Sequence, residues 1–424
     1  MKKEDDIACD ELEEIIINVV DCEGNVIDTQ SIATIQKHLQ RQKKQYLDKS
    51  LLDEFRNTII STNIFYKTAR LKEKYNLICV VMDRLESAIA YLNKHQKQLV
   101  SEESFICFLV YACMVRDGIL KLYENAFSRK PSFVYEKKYF AKVQIYGEDA
   151  FDENDCPTDD VFFEYLRAMV FAHPFETSKG RRSRPFMEDG ETQYCPWVIA
   201  REGLVGIRVY TSSDKFAIRD LTFSFQNLKA YIKSVYECLA EINAWAKDEI
   251  MIQDQEWAKQ KIDRSGTVVD LIETIRKTCN DRFWEAYEIE DIETYLTCKT
   301  TNAQNDGIVK KYRKELIKIL HQMCDALDMV DKRKFYETAS FVVTRPRVAH
   351  ADMHYQLEKI FCCLDDDHGW MDIEWGLKQV DDFAKEFAQK WVTIDTNTMS
   401  FDEIKLLVTI ACYYEAKEQE SVVE

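Results

Sequence analysis

Residues 71–92 read LKEKYNLICVVMDRLESAIAYL, and the spacing of their apolar positions decides the fold class. Leu71, Tyr75, Ile78, Met82, Leu85, Ile89 and Leu92 step by 4,3,4,3,4,3. A helix repeats about every 3.6 residues, so these side chains share one face and the charged positions take the other. The repeat lasts only about three heptads, which fits a bundle core better than a coiled-coil seam.

Working outward, the same period recurs. Leu52, Phe55, Ile59 and Tyr66 form a stripe before this segment. Ser101, with Glu102 and Glu103 behind it, is an N-cap signal for a helix running to about Tyr123. Leu228, Tyr231, Val235, Leu239, Ile242 and Trp245 share a face. So do Tyr312, Leu316, Ile319 and Met323, and again Ile373, Leu377, Val380, Phe383, Phe387 and Trp391. Ser400 with Glu403 reads as a capping box for a final helix. The chain has only 11 Gly and 6 Pro in 424 residues, so little interrupts these helices.

The period changes in two places. Residues 14–28 read as a short N-terminal hairpin, with turn chemistry at Glu23–Gly24–Asn25. Near residues 195–225, the segments 197–200, 204–210 and 218–225 read as short strands. The expected fold is therefore mainly α: multi-helix bundle domains with a small β-rich insertion and the hairpin. Three parts are expected: 1–48 (hairpin and helix), 49–263 (helical, carrying the insertion) and 264–424 (a second helical domain). Arg264–Ser265–Gly266 marks the last boundary.

The formal net charge is -17, from 57 basic and 74 acidic residues. Such a chain repels nucleic acid and anionic membrane on average, so a nucleic-acid site must be a local basic patch. The 14 Cys include no C-x-x-C, and most sit in apolar helical stretches, the usage of a reducing compartment. The longest apolar run, Phe105 to Val115, is too short to cross a bilayer, and Met1 to Asp10 is charged. A cytoplasmic protein without membrane partners is expected. No Gly-rich phosphate loop, G-x-S-x-G or H-E-x-x-H occurs, and no cofactor or metal is expected.

One constellation carries chemistry. Tyr165-Leu166-Arg167-Ala168-Met169-Val170-Phe171-Ala172-His173-Pro174 places Arg167 and His173 on one short helix. Six helical positions put them about 120° apart around the axis. His173 precedes proline, which disfavours the α conformation, so the helix should end at Ala172 and let His173 turn out. Downstream, Lys179, Arg181, Arg182 and Arg184 form the local basic patch that RNA binding needs. A guanidinium can grip a phosphate at two points, and an imidazole can move the protons of 2′-hydroxyl attack. Against this stands the plainer reading that Arg167 pairs with Glu164 at i−3.

An Arg and a His spaced this way at a helix end in a helical domain resemble the motif of HEPN-type ribonucleases, a superfamily that includes abortive-infection and toxin proteins. The resemblance covers roughly residues 50–260. It implies a metal-independent endoribonuclease of bacterial antiviral defence, with Arg167 and His173 as the catalytic pair. It also implies a homodimer, or two domains, that joins two such motifs. The chain differs from the family pattern at Ala168, where a polar residue is usual.

A second locus, with Arg345, Arg347, His350 and His354, reads in three ways. It is a second such motif, or an i, i+4 histidine pair for a metal, or a polar helix face. Trp197, close to the basic patch, is a candidate base-stacking residue. The alternative for the whole chain is a non-catalytic helical scaffold or sensor that binds a partner protein.

Overall fold

A computed structural model describes residues 16–20, 26–31, 45–97, 99–145, 147–151, 156–176, 192–201, 203–212, 218–343, 354–364 and 372–423. The chain divides into two compact units, 1–249 and 250–424. The protein is mainly α with a small antiparallel β insertion. Among the described residues no helix is long and apolar enough to cross a membrane.

In the first unit, α1 (Lys49–Ile60), α2 (Ile64–Lys67), α3 (Ala69–Lys94) and α4 (Glu102–Phe127) precede α5 (Asp159–Arg167). α3 is the helix of the opening stretch. It buries Leu71, Ile78, Met82, Leu85, Ile89 and Leu92, and also Val81 and Ala88. That stripe is wider than a two-position seam, as a bundle core requires. α4 begins as its sequence indicates: the Ser101 hydroxyl accepts the Ser104 N–H, and the Ser101 N–H donates to Ser104 Oγ, each at 3.1 Å. Ser128, in the left-handed conformation at φ 54°, ends it.

The insertion is one sheet of β3 (Gln144–Ile145), β4 (Glu148–Asp149), β5 (Gln193–Arg201), β6 (Leu204–Thr211) and β7 (Ile218–Ser224), in the order β4-β3-β7-β6-β5. β5, β6 and β7 lie where the sequence places strands. β3 and β4 have no counterpart in the sequence reading, because two residues are too few to display a period. Gly147, at φ 90°, makes the turn between them. Val205, Ile207, Val209, Leu221 and Phe223 fill the inner face. Phe223 meets Phe140 and Phe162 edge-on, at 5.3 and 5.6 Å between ring centroids. On the other face Trp197, Arg208 and Asp220 stand opposite one another across three strands. Arg208 binds Asp220 through two nitrogens, and its guanidinium lies 4.4 Å from the Trp197 ring centroid. The N-terminal hairpin is also present, as β1 (Ile16–Val20) paired antiparallel with β2 (Val26–Ser31).

α6 (Phe225–Glu237) and α7 (Leu239–Ala258) follow the sheet in sequence, and the division between the units falls within α7. The second unit contains α8 (Val268–Asp281), α9 (Tyr287–Thr297), α10 (Asp306–Met329), α11 (Lys332–Val343), α12 (His354–Leu364), α13 (Ile373–Glu386) and α14 (Phe401–Val423). Its core joins Ile275, Ile292, Tyr312, Leu316, Leu320, Phe383 and Leu407. Two local expectations are corrected here. Ile373 is 47% exposed, since it is the first residue of α13 and lies outside the core stripe. The Ser400–Glu403 box is only half formed. The Ser400 hydroxyl accepts the Glu403 N–H at 3.2 Å, but the buried Glu403 carboxylate instead accepts the Thr301 N–H at 2.7 Å. A tertiary partner has outcompeted the local one.

Candidate active site

α5 is short and buried on nearly every side, with Phe162, Phe163, Tyr165 and Leu166 in the core. Thr158 caps it, accepting the Val161 N–H at 3.3 Å. Two aspartates in its first turn anchor it. The Asp159 carboxylate accepts three backbone N–H groups, from Lys138 at 2.7 Å and from Tyr139 and Phe140 at 2.9 Å. Burial raises its pKa, and those three bonds pull the other way. Asp160 takes the Arg116 guanidinium in two-point fashion, at 2.8 and 2.7 Å, and the Tyr231 hydroxyl at 2.9 Å. Arg116 also reaches Asp117 at 2.8 Å and Glu164 at 3.0 Å. Burial alone would lower the Arg116 pKa, but these carboxylates more than reverse it and hold the side chain charged.

Arg167 sits at the outer edge of this cluster. Its Nη1 meets Asp117 and Glu164, each at 3.5 Å, so the expected i−3 pair is present. Both distances exceed the ones those carboxylates make to Arg116. Asp117 and Glu164 therefore belong mainly to Arg116, and Arg167 takes the longer, weaker pairing. Its Nε and Nη2 make no hydrogen bond to any described residue.

The helix does not stop at Arg167. It widens into the π-helical turn Ala168–Ala172, with Met169 and Val170 buried. The last bond of that turn runs from the His173 N–H to the Ala168 carbonyl, at 2.7 Å. His173 itself has φ −143° and ψ 53°, outside the helical region, as its position before Pro174 requires. Its side chain is exposed. The corner is then pinned to the sheet, because the Pro174 carbonyl accepts the Cys195 N–H at 2.8 Å. π-turns inside α-helices are infrequent and concentrate at functional sites. Nothing in the sequence signals one, because it needs no special residue type.

A groove of about 490 Å³ opens beside Arg167. Leu77 and Val80 of α3, Val110 and Met114 of α4, and Phe171 of the π-turn give it apolar walls. Arg84, Lys121 and Arg167 line it, with Asp117 as the opposing charge. Cys113 on its floor is no nucleophile, since burial pushes its thiol up to about 12. Burial does the same for Cys195 beside the pinned corner. The amide of Gln193, two residues before Cys195, is 1% exposed and has no hydrogen-bond partner at either atom among the described residues.

Sequence reasoning singled out Arg167 and His173 but missed Arg116, Asp117 and Asp160, which hold the site. Their signal is tertiary: Arg116 and Asp160 lie 44 residues apart. The basic residues Lys179, Arg181, Arg182 and Arg184 lie outside the described residues, as do Arg345, Arg347 and His350. His354 begins α12. Among the described residues no group of three or more His, Cys, Asp or Glu is placed to hold a metal ion. The chain matches no known protein family, no curated protein and no solved structure.

Proposed function

We propose that this protein is a metal-independent endoribonuclease of the bacterial defence or toxin type, acting in the reducing cytoplasm. One observation carries the reading. An exposed imidazole and a guanidinium with an unengaged edge stand at the two ends of a single π-turn, and the guanidinium lines a groove with apolar walls and a cationic rim.

The chemistry follows from those groups. The Nε–Nη2 edge of Arg167 takes two oxygens of the scissile phosphate and offsets charge as it develops. His173 accepts the 2′-hydroxyl proton as that oxygen attacks phosphorus. The phosphorus–5′-oxygen bond breaks, leaving a 2′,3′-cyclic phosphate. The departing 5′-oxygen takes a proton from water or from a second His173, in a second copy of the chain. Apolar groove walls suit an unstacked base. Asp117 and Glu164 repel phosphate, so the rim cations Arg84 and Lys121 and the basic residues 179–184 must draw the RNA in.

His173→Ala is expected to reduce cleavage of single-stranded RNA by roughly 10²–10⁴-fold, the usual contribution of a proton-transfer group. Cleavage by the wild type is expected to persist with a chelator present. Equal cleavage by both proteins, or none by either on single-stranded and structured RNA, refutes the proposal.

A second reading is favoured by the outward face of the sheet, where Tyr194, Trp197, Leu204 and Ile218 are 40–50% exposed. Apolar side chains presented together mark interaction surfaces. If the protein is a scaffold, Trp197→Ser abolishes its cellular effect and His173→Ala leaves it intact.

A further inference from the structure

α10 buries Val309, Tyr312, Leu316 and Leu320. Its other side exposes Lys310, Lys311, Lys314 and Lys318. These lysines are spaced at i, i+3 and i, i+4, where side chains on a helix meet, and like charges at that spacing destabilise it. Lys318 is relieved by Glu315 at 2.7 Å, a carboxylate that also takes Lys417 at 3.6 Å. Among the described residues Lys310, Lys311 and Lys314 make no ion pair. In a chain of net charge -17 carboxylates are abundant, yet among the described residues none lies within ion-pair distance of these three.

Beside this ridge lies a cavity of about 410 Å³ lined by Thr300, Lys310, Arg313 and Lys314. Asp306 is the one carboxylate on its wall, 3.5 Å from the Thr300 hydroxyl. Arg313 is committed to structure. It donates to the Tyr295 carbonyl at 3.0 Å and to the Cys298 carbonyl, fastening the end of α9 and the Lys299–Thr300 segment against α10. The cations left for a ligand on this ridge are Lys310, Lys311 and Lys314.

We infer that this ridge is a docking surface for the phosphate backbone of single-stranded RNA. Lysines are compact point charges that hold a phosphate without fixing its orientation. A row of them along a helix suits a chain carrying charge at regular intervals. Binding such a chain relieves the self-repulsion of Lys310, Lys311 and Lys314. Naming RNA rests on the ribonuclease reading above; the charge of the ridge does not.

The test is binding of a labelled single-stranded RNA oligonucleotide, followed by anisotropy over a range of salt. The full chain carries His173→Ala, so the probe survives. Adding Lys310→Gln, Lys311→Gln and Lys314→Gln is expected to weaken binding about tenfold or more near 0.1 M salt. The slope of log affinity against log salt should fall by about 2, at roughly 0.7 for each phosphate no longer neutralised. The melting temperature of the triple variant is expected to equal or exceed that of its parent, because like charges are removed; this separates lost binding from lost folding. Unchanged affinity and slope overturn the inference. So does binding of polyglutamate in preference to RNA, abolished in the same variant, which assigns the ridge to an acidic polypeptide. Ridge-dependent RNA binding by a wild type that cuts no RNA upholds the ridge and rejects only the cleavage reading.

Discussion

Arg116→Met is expected to lower the stability of the 1–249 unit by about 3–5 kcal/mol, the cost of stranding a buried partner charge. Asp160 is 6% exposed and, without Arg116, retains among the described residues only the Tyr231 hydroxyl at 2.9 Å. The carboxylate must then protonate, draw in water or displace α5. Each route disturbs the helix that carries Arg167 and His173. The cost is specific to breaking the pair. Arg116→Met combined with Asp160→Leu and Tyr231→Phe removes all three buried polar groups together and is expected to recover much of the loss. Urea unfolding measures both: the midpoint should fall steeply for the single variant and return towards wild type for the triple. A single variant within about 1 kcal/mol of wild type shows that the network does not hold α5.

Arg282→Met is expected to be comparably severe in the 250–424 unit. Arg282 is 1% exposed, and its guanidinium donates to three backbone carbonyls: Leu327, Trp257 at 3.0 Å and Gln260 at 3.3 Å. Burial lowers its pKa, partly offset by the charge of Asp328 and Asp254. Trp257 lies in the last turn of α7, Gln260 just past it and Leu327 in the last turn of α10; the Trp257 and Leu327 carbonyls also accept the Gln260 and Val330 N–H groups, each at 3.0 Å. Hydrogen bonds made by a charged group contribute roughly 1.5–3 kcal/mol each, so losing the three together should cost about 3 kcal/mol or more. Arg282→Lys keeps a charge and donors but not the planar fork, and should lose about half as much. Thermal and urea unfolding rank the three proteins. Equal stability of the Met variant and wild type contradicts this role.

The fold was largely legible because its signals are local. The period of residues 71–92 marks a bundle helix, and Ser101 caps as its position requires. What escaped is tertiary or subtle. Glu403 left its capping box for Thr301, 102 residues away. β3 and β4 are too short to show a period. At the site, the helix end before Pro174 was legible from the restriction that proline places on its neighbour. The π-turn leading to it was not, since Ala168–Ala172 is an ordinary apolar run. The carboxylates shared by Arg116 and Arg167 were half visible: Glu164 at i−3 lies within reach of sequence reasoning, and Asp117 does not.

The central claim is that His173 drives attack by the RNA's own 2′-hydroxyl. The most direct measurement is to compare an RNA oligonucleotide with its 2′-deoxy counterpart at the cleaved position and to identify the product ends, for wild type and His173→Ala. The expected result is cleavage of the all-ribose strand by wild type only, leaving a 2′,3′-cyclic phosphate and a 5′-hydroxyl, with the deoxy-substituted strand intact at that position. Cleavage of the deoxy-substituted position, or the same products at the same rate from His173→Ala, would contradict it.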